Sequence, residues 1–179
     1  MLTIGNSFPD FSLTSVTSSK ADDAFWPIKK EDILGQWSVI FFWPKDFTFV
    51  CPTEIVAFGG LHSEFVETDA RVYGASTDSE FVHLAWRQSR EDLATSPFPW
   101  LSDITRDLSI KLGILDEPSG VARRATFIND PKGVIRFASV TDMSVGRNPE
   151  EVLRVLHALQ NGELCPANWR RGQDTLAAA

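Results

Sequence analysis

The sequence predicts a single α/β domain built on a central mixed sheet flanked by helices, and three observations carry that reading. Ser38-Val39-Ile40-Phe41-Phe42-Trp43 is a short, continuous apolar run, aromatic and β-branched, with the length of a buried strand. From Pro52 the pattern changes, and Ile55, Phe58, Leu61 and Phe65 recur at helical spacing. A second strand–helix pair follows, then a hairpin and a last helix. The 179 residues suit one domain spanning 1–179, and a hydrophobic content of 43% is enough to fill a core.

Along the chain, residues up to about Lys20 read as extended, with Phe8, Phe11 and Leu13 alternating in part. Ser15 to Lys20 is rich in serine and threonine and reads as a loop. Pro44 stops the Ser38–Trp43 strand, and Pro52 fits a first helical position, where its missing N–H is not needed. Arg71 to Ser76 reads as a short strand, and Ser79 to about Asp92 as a helix. Asp107 to Leu112 reads as a short helix stopped by Gly113. Ala125–Ile128 and Val134–Val140 read as strands joined at Asn129-Asp130-Pro131-Lys132-Gly133, a strong turn signal. The last helix has Asn148 as cap, Pro149 at its first position, two glutamates behind, and Gly162 where it should end.

A net charge of −7 leaves no basic stripe to neutralise phosphates, which argues against nucleic acid as a partner. No run of eighteen apolar residues occurs, so no membrane span is expected. The start, Met1-Leu2-Thr3-Ile4-Gly5-Asn6, lacks the basic and apolar parts of a signal peptide. Two cysteines do not make a secreted disulfide scaffold, so a reducing cytoplasm is the expected home. His62, His83 and His157 are dispersed and there is no Cys-x-x-Cys pair, so no metal site is expected. No P-loop or dinucleotide fingerprint occurs, so no organic cofactor is implied.

Cys51 is the residue most suggestive of chemistry. It follows the apolar strand and stands just before Pro52 and the helical stretch. A thiol so placed meets a helix N-terminus, whose N–H groups and dipole favour the thiolate, the nucleophilic form. A lone cysteine would otherwise read as a small buried hydrophobe. Thr48 lies three residues earlier, within reach of Cys51 or a ligand if the connection is a tight turn.

Pro44, Thr48 and Cys51 form the motif Pro-x-x-x-Thr-x-x-Cys, set in the longer string Phe42-Trp43-Pro44-Lys45-Asp46-Phe47-Thr48-Phe49-Val50-Cys51-Pro52-Thr53-Glu54. In this string the chain strongly resembles the peroxiredoxins, in particular the typical two-cysteine branch close to the alkyl hydroperoxide reductase C type. The resemblance runs from Ile4-Gly5 to about Thr175. It implies a thioredoxin-like fold, which the order of elements also suits. The Cys51 helix would occupy the place of the thioredoxin Cys-x-x-Cys helix, with Thr48 where the first cysteine would be. It also implies a thiol peroxidase acting on hydrogen peroxide or alkyl hydroperoxides. Such chemistry needs a thiolate, donors for both peroxide oxygens and a pocket that holds them in line. Thr48, the turn N–H groups and an arginine would be the donors, and Pro44 would shape and shield the pocket.

The resemblance assigns further residues. In Arg123-Arg124-Ala125-Thr126-Phe127, Arg124 would point into the site, favour the thiolate and donate to substrate; Arg123 would face the other side of its strand. Glu54, on its own a first-turn dipole partner, would pair with Arg147 of Val145-Gly146-Arg147-Asn148-Pro149 and steady Arg124 and Thr48. Trp86 would pack near the site as support. Cys165, in Gly162-Glu163-Leu164-Cys165-Pro166-Ala167-Asn168-Trp169, would be the resolving thiol, carried by a C-terminal segment at 160–179. It would capture the sulfenic acid on Cys51 of a partner subunit as an intersubunit disulfide. An external dithiol protein would then reduce it: thioredoxin, a flavoprotein reductase or a small Cys-x-x-Cys adaptor. The family forms homodimers and often rings of five dimers. Three rival readings stand beside this one. They are a general thiol–disulfide oxidoreductase, which usually needs the absent Cys-x-x-Cys pair; a non-enzymatic holdase or scaffold; and a one-cysteine peroxidase with Cys165 idle.

Easily over-oxidised members carry a Gly-Gly-Leu-Gly insert and a C-terminal Tyr-Phe helix. This chain has Ser96-Pro97-Phe98-Pro99-Trp100 near the first position and ends in Asp174-Thr175-Leu176 and three alanines. Resolution is therefore expected to outrun a second oxidation, leaving Cys51 resistant to conversion into sulfinic acid. Mass spectrometry of the Cys51 peptide during turnover at modest peroxide checks this, and a sulfinic adduct there would refute it.

Overall fold

The structure, a computed structural model, is described for residues 1–177. Strands β1 (Ser12–Val16) and β2 (Phe25–Lys29) form a hairpin with a one-turn 3-10 helix at Ala21–Asp23 between them. A second such turn at Lys30–Ile33 leads to β3 (Trp37–Phe42). Helices α1 (Val50–Gly60) and α2 (His62–Glu67) precede β4 (Ala70–Ser76). Then come α3 (Glu80–Ser89), α4 (Glu91–Ala94), β5 (Trp100–Ser102) and α5 (Asp107–Leu112). The short strands β6 (Leu115–Asp116) and β7 (Val121–Ala122) pair with each other. Strands β8 (Arg124–Asn129) and β9 (Ile135–Thr141) form the expected hairpin, and α6 (Pro149–Asn161) follows.

Seven strands make one mixed sheet in the order β2-β1-β5-β4-β3-β8-β9. β3, β4 and β5 run parallel, because each is joined to the next through helices. The outer pairings are antiparallel. Successive residues of a strand face opposite sides, and β3 divides its side chains accordingly. Val39 and Phe41, continued by Trp43, enter a core with Ile55 and Phe58 of α1 and Leu153 and Leu156 of α6. Ile40 and Phe42 enter a second core with Leu108 and Leu112 of α5 and Phe8 from the N-terminus. Such burial on both faces is why β3 reads as an unbroken apolar run rather than an alternating one. Phe41 stacks on Phe58 with ring centroids 4.1 Å apart, fixing α1 against the strand that leads into it.

Several expectations need correction. Ser15 and Val16 belong to β1 rather than to a loop: they pair on both sides, and the Ser15 hydroxyl donates to Trp26 O at 2.8 Å. The long helix expected from Ser79 to Asp92 breaks at Arg90, whose backbone is extended, and resumes as α4 with Leu93 buried. The Cys51 helix likewise breaks at Leu61, after Gly59 and Gly60, before α2 begins. Pro52 stands third in α1, not first. That position is equally tolerant, since the first turn's N–H groups have no intrahelical acceptor. In the last helix, Asn148 accepts from the N–H groups of Glu150 and Glu151, and Gly162 closes it with φ +74. Gly113 closes α5 with φ +70. The last two residues of the expected 160–179 segment lie outside the described residues. No helix among the described residues is long and apolar enough to cross a membrane.

Gly74 of β4 is where the sheet meets the strand that feeds the motif. A Cβ there would lie 2.5 Å from a ring carbon of Trp43 and 3.3 Å from Phe41. Gly74→Ala is therefore expected to lower the unfolding free energy by about 1–3 kcal/mol through overpacking, read by urea unfolding of the reduced protein. An unchanged midpoint would show that the Trp43 ring has room to move.

Candidate active site

β3 ends at Phe42, and the buried residues Trp43 and Pro44 carry the chain off the sheet. A short loop then turns into α1, helped by Phe47 at φ +56. Cys51 is the second helical residue and 1% exposed. No side chain caps this helix. Pro52 has no N–H, so the donors without an intrahelical acceptor are those of Phe49, Val50 and Cys51. They concentrate the positive end of the helix dipole at the thiol.

Arg124 opens β8. In the β3–β8 register Phe41 faces Thr126, which brings Arg124 level with Trp43. Its Nη1 lies 3.3 Å from Cys51 Sγ and 2.6 Å from Glu54 Oε2, and its Nε donates to Met143 O at 2.9 Å. Glu54 is one helical turn beyond Cys51. It is also gripped bidentately by Arg147, Nε to Oε1 and Nη2 to Oε2, both at 2.8 Å. The Arg147 backbone N–H adds a third bond to Oε1 at 3.0 Å. Arg147 is itself tied to Ala125 O at 2.8 Å and lies over the Phe41 ring. These three side chains are at most 4% exposed. The structure thus brings together Cys51, Arg124, Glu54 and Arg147, and buries Pro44 where the chain leaves β3. Arg123 turns outward toward Asp116.

Thr48 is placed differently from expectation. Its hydroxyl donates to Lys45 O at 2.8 Å and makes no hydrogen bond to Cys51 or to the Glu54 network. The donor hydrogen is committed to the loop, which leaves the oxygen as an acceptor. Trp86 is buried in a cluster with Trp43 and Trp100, at 6.5 and 5.6 Å between ring centroids. It reaches the motif loop through Phe47, whose ring lies 5.9 Å from it. Cys165 is half-buried in the segment beyond the C-terminal end of α6, whereas Arg147 precedes its N-terminal end. No contact among the described residues joins the two thiols.

One feature of the motif had no role in the sequence reading. Asp46 Oδ1 accepts from Trp43 Nε1 at 2.7 Å, and Oδ2 meets His83 Nδ1 at 2.6 Å. His83 Nε2 faces Leu101 O at 3.2 Å. The Asp46 backbone N–H donates to Asp78 Oδ2 at 2.9 Å. Both ring nitrogens of His83 thus have an oxygen partner, and the ring is locked between the motif loop and β5. Burial pushes the Asp46 carboxyl up, opposed by His83. The pair roots the motif loop in α3 and β5. Asp46 lies inside the recognised string, but its partner is remote in sequence and carries no local signal. Among the described residues, no three His, Cys, Asp or Glu side chains form a metal-binding group.

The chain resembles known proteins over almost its whole length. Residues 4–138 match the AhpC/TSA family, and residues 157–179 match the C-terminal domain of 1-Cys peroxiredoxin. The chain is 52% identical to alkyl hydroperoxide reductase C of Mycolicibacterium smegmatis, over 99% of this chain and 95% of the relative. Among solved structures, AhpC of Mycobacterium tuberculosis superposes with a TM-score of 0.87 at 52% identity, covering 95% of this chain and 99% of that one. The reduced 2-Cys peroxiredoxin of Plasmodium vivax superposes with a TM-score of 0.89 at 30% identity, covering 97% and 92%. The fold is thus the thioredoxin-like α/β fold of these structures.

Removing the carboxylate should expose how much rests on it. Glu54→Gln leaves two buried guanidinium groups without their anion and is expected to cost about 3–5 kcal/mol of stability. Urea unfolding of the reduced protein measures this. A loss below about 1 kcal/mol, the worth of a surface pair, would mean that the network does not hold the site.

Proposed function

The chain belongs to the AhpC/TSA family and is a thiol-dependent peroxidase; from that premise we propose that Cys51 is the peroxidatic thiol and Cys165 the resolving one. The observation that carries the assignment is the Arg124 guanidinium, 3.3 Å from a buried sulfur at an open helix N-terminus. In this reading the Cys51 thiolate attacks the nearer oxygen of a hydroperoxide. The S–O bond forms as the O–O bond breaks. Sulfur gives up two electrons, and the other oxygen leaves as hydroxide or alkoxide and takes up a proton. The helix N–H groups and Arg124 stabilise that charge. Thr48, its own hydrogen tied to Lys45 O, accepts the peroxide hydrogen and so orients the substrate. Pro44 shields the sulfur from water. Glu54 and Arg147 keep Arg124 in place, and Trp86 supports the loop through Phe47.

The Cys51 sulfenic acid then meets Cys165 of a partner subunit. The S–S bond forms, and the hydroxyl leaves as water with the thiol proton. A dithiol protein (thioredoxin, a flavoprotein reductase or a Cys-x-x-Cys adaptor) returns both sulfurs to thiols. The intersubunit route is supported by the separation of the thiols within one chain, where no contact joins them. It requires a homodimer, and the family often builds pentamers of such dimers. A reducing cytoplasm suits a disulfide that must be transient.

The test is a non-reducing gel of the reduced protein after one equivalent of hydrogen peroxide, with wild type, Cys51→Ser and Cys165→Ser side by side. A disulfide dimer in wild type alone is expected. Monomer in every lane, with peroxide still consumed, would leave a one-cysteine peroxidase and remove Cys165 from the cycle.

A further inference from the structure

The segment that carries Cys165 rests on one stripe of α6. Glu151, Arg154, Ala158 and Asn161 follow one another at three- and four-residue spacing and so share a face. Arg154 Nη1 donates to the carbonyl of Trp169 at 2.9 Å, while its Nε and Nη2 are fixed by the two Glu151 oxygens at 2.6 and 2.8 Å. Trp169 is 4% exposed, and its Nε1 donates to Gln173 O at 3.0 Å. The turn into it is made by Asn168 at φ +61. Leu164 and Leu176 bridge across the segment, and Thr175 bonds Glu163. Cys165 lies within this knot. Its Sγ donates to Ala158 O at 3.8 Å and accepts from Asn161 Nδ2 at 3.7 Å, at the last turn of α6.

We propose that Arg154 is a positioning residue of the second half-reaction: with Glu151 it pins the segment at Trp169 and so keeps the Cys165 thiol parked on α6 until Cys51 has been oxidised. This rests on the reading of Cys165 as the resolving thiol. In the parked place the sulfur points at its own helix and touches nothing near Cys51. Attack on a sulfenic acid requires the segment to leave α6. The contacts within the knot can travel with it, but the bond from Arg154 to Trp169 must break. The rate of disulfide formation therefore includes the cost of that release, while attack of Cys51 on peroxide does not. Arg154 is 22% exposed in its side chain and its hydrogen bonds go to Glu151 and Trp169, none to the Cys51 site, so the two steps can be separated.

The experiment uses the reduced full-length protein as wild type, Arg154→Gln, Arg154→Lys and Glu151→Gln. Each is mixed rapidly with one equivalent of hydrogen peroxide and quenched over time. Sulfenic acid on Cys51 is trapped with a dimedone reagent, and the disulfide is followed by mass spectrometry. Sulfenic acid formation should be unchanged. Disulfide formation should rise about fivefold in Arg154→Gln, the effect of a hydrogen bond of about 1 kcal/mol. Arg154→Lys, which keeps one charged donor, should lie between it and wild type. Glu151→Gln should raise the rate by a smaller factor and carries the test should Arg154→Gln not fold. Disulfide formation slowed or unchanged in the variants that fold, or both steps shifted together, would overturn the proposal. Absence of any Cys51–Cys165 disulfide in wild type would instead sink the resolving role of Cys165, and the parking role with it.

Discussion

A single buried carboxylate organises the site. Glu54 answers two guanidinium groups, and all three lie in a region almost without solvent. Placing these ions there carries a desolvation cost of several kcal/mol each, offset only when the geometry is close and the remaining polar atoms are bonded. Here the Glu54 oxygens accept four bonds, and Arg147 and Arg124 extend to Ala125 O and Met143 O. The charges still do not cancel: two cations face one anion. The Cys51 sulfur stands 3.3 Å from the same Nη1 that binds Glu54, on the side where the network lacks a second anion. Arg124 is thus held by the carboxylate from one side and left one contact short on the other, where the sulfur stands.

That arrangement sets a conflict between guarding the sulfur and using it twice. The first reaction requires a closed, nearly dry pocket in which donors and sulfur are fixed. The second, in the proposed cycle, requires the same sulfur to meet a thiol that sits elsewhere. The two ends of α6 divide the labour. Arg147, just before its first residue, serves the pocket; its last turn holds Cys165 away from it. The Glu54 network thus closes just ahead of α6, and the Cys165 thiol rests on its last turn.

What could be read from the chain and what could not follow from the range of the interactions involved. The ends of α5 and α6 are written in adjacent residues: Gly113, Asn148, Pro149 and Gly162 act through their own backbone or the next turn. β3 was legible because burial on both faces makes it apolar throughout. The β1–β2 hairpin was not, since β2 holds Trp26 and Pro27 on an exposed edge and lacks an apolar pattern. β5 was missed because three residues are too few to show a period. In the site, the spacing of Pro44, Thr48 and Cys51 is local, but the pairing of Glu54 with Arg147 and of Cys51 with Arg124 came through family resemblance. Neither pair is close in sequence. The hydrogen bond of Thr48 was not legible at all, because it depends on how Phe47 at φ +56 turns the chain so that Thr48 meets the Lys45 carbonyl.

The motif loop then has two unlike ends. Trp43, Pro44 and Asp46 are buried, and Asp46 is fastened by a tryptophan, a histidine and a backbone bond to Asp78. Beyond it, Phe47 is 57% exposed and Phe49 92% exposed, and α1 starts without a side-chain cap. A left-handed, non-glycine residue costs of the order of 1–3 kcal/mol, and here that strain sits at the junction of the two ends. The fixed end holds the pocket wall where Pro44 needs it. The other end is exposed at Phe47 and Phe49, but the helix turn it leads into buries Cys51, Pro52 and Glu54, so undoing that turn would relieve one strained backbone torsion at the cost of the Glu54 bonds. In the proposed reaction the uncapped N-terminus would serve the first step, its free N–H groups binding developing charge, while the Glu54 bonds hold the turn formed.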